Sequence, residues 1–122
     1  METAEATFAT VLAIAEEIGD RLLAGQARYA LGELAVGRAD EAGAAAHLWA
    51  AQSVFAELGS AQWLARTVLL LSALSGPAVP GAVSREHVAQ AIEQLRGSGS
   101  RAAHRLLADL ERIASTGTVA GP

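Results

Sequence analysis

No cysteine, lysine or asparagine occurs among these 122 residues. Without cysteine there are no disulfides, no thiolate metal sites and no cysteine nucleophile. Without lysine there is neither a Schiff-base lysine nor the phosphate-binding lysine of a P-loop. Without asparagine there is no N-glycosylation acceptor. Aromatic residues make up only 4% of the chain, and all nine basic residues are arginine, a bias expected of a GC-rich bacterial genome. Long apolar runs are scarce too. The greasiest, WLARTVLLLSAL from Trp63 to Leu74, contains Arg66 and is too short to span a bilayer. The opening METAEAT lacks the basic start of a secretory signal, so a soluble, cytoplasmic chain with no membrane partner is expected.

What is abundant is small and apolar. Hydrophobic residues form 52% of the chain, and 29 of them are alanine, so buried surfaces must be smooth and close-packed. That amount of apolar material suffices for one core in one domain. Alanine is the strongest helix former, and β-branched residues are scattered, so the fold class read from composition is all-α. The net charge of −4 argues against direct nucleic-acid binding, which needs a basic footprint. Residues 1–60 hold nine acidic and three basic side chains and residues 61–122 hold four and six, which reads as an unevenly charged solvated surface.

One pattern is written twice. FATVLAIAEEIGD, residues 8–20, is echoed forty positions later by LWAAQSVFAELGS, residues 48–60. Phe8, Val11, Ala15 and Ile18 in the first correspond to Leu48, Ala51, Phe55 and Leu58 in the second, at spacings that place each set on one helix face. Asp20, Asp40, Ser60 and Ser100 lie on a twenty-residue grid, each ahead of a helical pattern, where a short oxygen-bearing side chain caps a helix. Gly19, Gly59 and Gly99 precede three of them, where a left-handed residue ends the previous helix. The grid predicts six helices, at about 3–18, 21–37, 40–58, 61–75, 84–96 and 101–115. SGPAVPGAV, residues 75–83, interrupts it and makes Ser84 the cap of a shortened fifth helix, with Val88, Ile92 and Leu95 on its face. A degraded last repeat is the form a terminal cap takes. The domain is expected to span residues 1–116, followed by a flexible tail at 117–122.

The stretch LGELAVGRADEAGAAAHLWAAQSVFAELGS, residues 31–60, resembles a tetratricopeptide repeat (TPR). It is similar to the roughly forty-residue variant of large actinobacterial transcriptional regulators of the LuxR and antibiotic-regulatory types. Gly32, Ala44 and Ala51 fall on that family's small positions, and Leu31 and Leu48 on flanking bulky ones. Ala39 departs from it, standing where the family has the glycine of a Gly-Asp turn, and Ser72 replaces a second glycine. The resemblance implies antiparallel helical hairpins stacked as a short right-handed superhelix. It also implies a concave groove lined by the first helix of each hairpin. By position that groove would present Gln26, Tyr29 and Glu33, then Arg66 and Leu69, then Arg105 and Arg112. The implied function is non-catalytic and needs no cofactor: binding a protein partner or other domains of the same chain within a transcriptional regulator. The alternative is a sensor holding a small-molecule inducer in the groove.

Other candidates have simpler explanations. His47, His87 and His104 show no metal-ligand spacing. Ser84 and Ser100 lack a nucleophile elbow and read as caps, and no catalytic residue is expected. Glu16-Glu17 and Asp40-Glu41 are adjacent pairs, which do not face one another on a helix. GSGS at 97–100 reads as a turn. Trp49 and Trp63 are expected to pack between hairpins, and Tyr29 could pack on Leu69. Leu69, Leu70 and Leu71 make the fourth helix apolar nearly all round, as suits a central helix or one that meets another chain. The pattern opens on a second-type helix without its first, as in a segment of a longer array. Self-association as a homodimer through an open first-helix face near Leu12 or Ile14 is expected.

Overall fold

The computed structural model describes residues 3–74, 83–97 and 99–116. They form six helices and no strand: α1 Ala4–Ile18, α2 Arg21–Gly37, α3 Glu41–Leu58, α4 Ala61–Ala73, α5 Arg85–Arg96 and α6 Arg101–Thr116. Most of the proline-containing interruption, Ser98 and the expected tail at 117–122 lie outside the described residues. The fourth helix stops short of its pattern: Leu74 is already extended, at φ −75° and ψ 133°.

The twenty-residue grid arises from one turn used three times. Gly19, Ala39 and Gly59 adopt left-handed φ values of 77°, 62° and 69°. The next residue's N–H then reaches back five positions, from Asp20 to Ala15 O (2.9 Å), Asp40 to Ala35 O (2.9 Å) and Ser60 to Phe55 O (3.0 Å). This satisfies carbonyls that the helix end leaves open. Asp20 and Asp40 then accept, through Oδ1, the N–H of Leu23 and of Gly43, both at 3.0 Å, so one residue closes a helix and opens the next. Two expectations are corrected here. Ser60 occupies the cap position but its side chain makes no cap bond. Gly99 has φ 71°, yet α5 is closed by Gly97 in a right-handed conformation, because this connection is longer and carries the left-handed residue to the approach of α6.

Ala39 is the odd member of the set, since its Cβ opposes the left-handed conformation by about 1–2 kcal/mol. Glycine relieves that strain and returns part of the gain as unfolded-chain entropy, about 0.4–1 kcal/mol. Ala39→Gly is therefore expected to stabilise the fold by roughly 0.5–1 kcal/mol. The readout is a higher urea midpoint at unchanged slope.

The tightest packing joins α2 to α3. A Cβ on Gly32 would stand 2.7 Å from Leu48 Cγ, and one on Gly25 would stand 2.8 Å from Phe55 Cε1. Leu48 and Phe55 are both fully buried. The glycines are seven residues apart, as are the two bulky residues, and the helices run antiparallel. Each large side chain thus enters a notch opposite. Leu64, Ala65, Thr67, Val68 and Leu71 bury one side of α4, while Leu69, Leu70 and Leu74 are half-buried against the same core. α4 packs on α3, α5 and α6, which is the central placement its composition allowed.

The first helix is held differently. Ala15 is its only fully buried residue. It is tied to α2 by an ion pair of Glu16 with Arg28 (3.8 Å), and to the residue that caps α2 by one of Glu5 with Arg38. Ile14 and Ile18 are 50% and 67% exposed, whereas Leu12 is half-buried. The open apolar face of α1 therefore carries the two isoleucines rather than Leu12.

Candidate functional site

Phe55 supports from within a cluster of rings that borders a groove. Phe55 stacks on Trp63 of α4, with centroids 5.6 Å apart and planes 24° apart. Tyr29 of α2 meets the same indole edge-on at 5.5 Å and 75°. The Arg66 guanidinium, one turn beyond Trp63, lies 5.3 Å from an indole ring centroid. Pairs of this kind each add about 0.5–1.5 kcal/mol beyond burial, so the rings hold one another in place.

Beside these rings is a cavity of about 360 Å³. Phe8 and Val11 of α1 form one wall, Gln26, Tyr29 and Glu33 of α2 the base, and Trp63 and Arg66 of α4 the other wall. Four expected groove residues, Gln26, Tyr29, Glu33 and Arg66, are thus brought together. Three are not among its lining. Leu69 lies half-buried against the core, and Arg105 and Arg112 are exposed on α6, the latter paired with Asp109. Tyr29 contacts Trp63, the partner the sequence reading did not name. Phe8 and Val11 are not among the expected groove residues, because the family resemblance lines the groove with first-type helices and makes α1 a second-type one. The available signal was the apolar face of α1, which carries Phe8 and Val11 together.

Burial, and next to it the Glu33 carboxylate, raise the Tyr29 pKa, with Arg66 pulling the other way. The phenol therefore stays a protonated donor throughout the neutral and mildly alkaline range. Glu33 and Arg66 are both exposed and are the charged residues of the lining. They take no part in the ion pairs of the described residues, which join Arg21 to Glu57, Arg28 to Glu16, Arg38 to Glu5 and Arg112 to Asp109.

The remaining chemistry-bearing side chains serve helix ends or lie apart. Ser84 Oγ accepts the His87 N–H (3.3 Å) while His87 Nδ1 accepts the Ser84 N–H (3.0 Å), a reciprocal cap, and the His87 ring leans on Trp49 at 4.8 Å. Ser100 Oγ accepts from Ala103 N and from Gln62 Nε2, both at 3.0 Å, joining the starts of α4 and α6. His104 is exposed. Among the described residues no three His, Cys, Asp or Glu side chains are grouped to hold a metal ion.

His47 sits beneath the Ala39–Asp40 turn, beside a cavity of about 80 Å³ that Glu5, Arg38 and Asp40 also line. Its Nδ1 is buried and has no partner. Burial first, then Arg28, hold its pKa below the usual value, and Asp40 acts in the opposite sense. Above about pH 6.5 the imidazole is neutral folded or unfolded, and its contribution to stability is fully present. As pH falls below that value the unfolded chain binds a proton that the folded chain resists, and the contribution is lost through the folded pKa. The melting temperature is expected to drop between pH 8 and pH 5, and to drop less in His47→Gln. An equal drop in both would remove His47 from the acid response.

No helix among the described residues is long and apolar enough to cross a membrane. No protein-family model, no curated protein and no solved structure matches this chain.

Proposed function

We propose that the chain is a non-catalytic binding module whose α1–α2–α4 groove receives a segment of a protein partner, or of another domain of the same polypeptide, in a regulatory setting. The observation that carries this reading is the groove itself: apolar, ring-lined and open along three helices, with one cation and one anion in its lining. Aromatic rings and arginine supply most of the energy at such surfaces, and a rigid floor spares the ordering cost of binding. The resemblance of residues 31–60 to TPR repeats supports the same reading, with a bacterial transcriptional regulator as the setting.

Selection of displayed peptides on the whole chain tests it. Ala30 lines the groove on a helix, so Ala30→Arg fills the space without removing a packed ring. Selected peptides are expected to bind the native chain and to lose binding to Ala30→Arg at an unchanged melting temperature. Equal binding to both would place the partner elsewhere.

Sensing of a small molecule is the second reading, favoured by size. A cavity of about 360 Å³ falls within the range of small-ligand sites.

A further inference from the structure

Two opposite charges face one apolar groove without neutralising each other. Glu33 belongs to α2 and Arg66 to α4, both are exposed, and neither joins an ion pair among the described residues. Both line the same cavity of about 360 Å³ beside Tyr29, so both lie within reach of one small molecule held there. Arg66 is further oriented by its seat over Trp63. Among the described residues no other charged side chain lines the groove, and the rest of its lining is Gln26, rings and aliphatic side chains.

This charge pattern discriminates among occupants. A simple carboxylic acid would satisfy Arg66 while adding an anion near Glu33, and an amine would do the reverse. An uncharged apolar side chain from within a protein segment would leave both to solvent or to flanking residues. A molecule carrying one charge of each sign beside an apolar group satisfies both charges and the apolar lining at once. We propose that the groove binds a zwitterion of amino-acid size with an apolar side chain, its carboxylate on Arg66, its ammonium toward Glu33 and its side chain against Trp63, Tyr29 and Phe8. This inference rests on the small-molecule reading of the groove.

The two tryptophans allow a direct readout, because Trp63 lines the groove and Trp49 lies against His87. In the otherwise native chain with Trp49→Phe, indole fluorescence reports the groove alone. L-Leucine and L-phenylalanine are titrated beside L-leucinamide, which lacks the carboxylate, and N-acetyl-L-leucine, which lacks the ammonium. The free amino acids are expected to change the emission saturably and to bind at least about tenfold more tightly than either blocked form, a difference of about 1.4 kcal/mol. Arg66→Gln is expected to abolish the preference for leucine over leucinamide, and Glu33→Gln the preference over N-acetyl-leucine. Both replace exposed side chains, and circular dichroism checks the helices of each variant. Equal binding of all three leucine compounds would overturn the charge assignment while leaving a small-molecule groove. Absence of binding by any of them, with displayed peptides still blocked by Ala30→Arg, would overturn the inference and leave the protein-partner reading standing. Absence of both would overturn the groove as a binding site.

Discussion

Truncating Phe55 to alanine is expected to destabilise the protein by about 3–5 kcal/mol, the largest effect of any single change considered. Phe55 is fully buried, fills the notch opposite Gly25 and stacks on Trp63. Its removal costs the transfer free energy of a large side chain and opens a cavity between α2 and α3 that rigid helix backbones close only in part. The second consequence is local. Without the ring beneath it, Trp63 loses the surface that fixes its plane, and Tyr29 and Arg66 lose theirs in turn. Denaturant unfolding gives the stability change, and near-ultraviolet circular dichroism reports the ordering of the indole. A loss below about 1 kcal/mol would mean that the ring is not held as described.

Gly32→Leu is expected to cost about 1–3 kcal/mol by the opposite route, overpacking. Even the first carbon of the new side chain would lie 2.7 Å from Leu48 Cγ and Cδ2. Leu48 is fully buried and cannot withdraw, so the two helices must part. The loss would appear as a lower thermal midpoint followed by helix ellipticity. An unchanged midpoint would show that α2 and α3 do not approach closely at this position. Gly32→Ala separates crowding from helix propensity, because alanine favours the helix and yet introduces the clashing carbon.

Much of this contact was legible beforehand. The spacing of Leu48, Ala51, Phe55 and Leu58 marked one face of α3, and the small residue at position 32 marked a close approach. Gly25 was not singled out, although it stands one heptad before Gly32 on the same face. The turns were legible through Gly19, Gly59 and the aspartates, since a left-handed end and a side-chain cap each have a residue signature. Ala39 hid its left-handed conformation behind an ordinary letter, and only its place on the grid and at the glycine of the resembled family's Gly-Asp turn pointed to it. At the groove, α2 and α4 contributed residues at expected positions. The contribution of α1 depends on how a helix lies across its neighbours, a quantity that residue spacing within one helix does not contain. The pairing of Tyr29 with Trp63 instead of Leu69 is of the same kind.

The short turns bear on how quickly the molecule assembles. α1 packs on α2, α2 on α3, α3 on α4, α4 on α5 and α5 on α6, and contacts such as α2 with α4, α3 with α5 and α4 with α6 skip a single helix. The chain therefore closes small loops in succession, and the search for partners stays local. Helical proteins of such low contact order fold in about microseconds to milliseconds. The hairpin of α2 with α3, where Gly25 and Gly32 receive Phe55 and Leu48, is expected to be the first to become stable. α1, which precedes that hairpin in the chain, and α4 to α6, which follow it, are then expected to dock on a surface already formed.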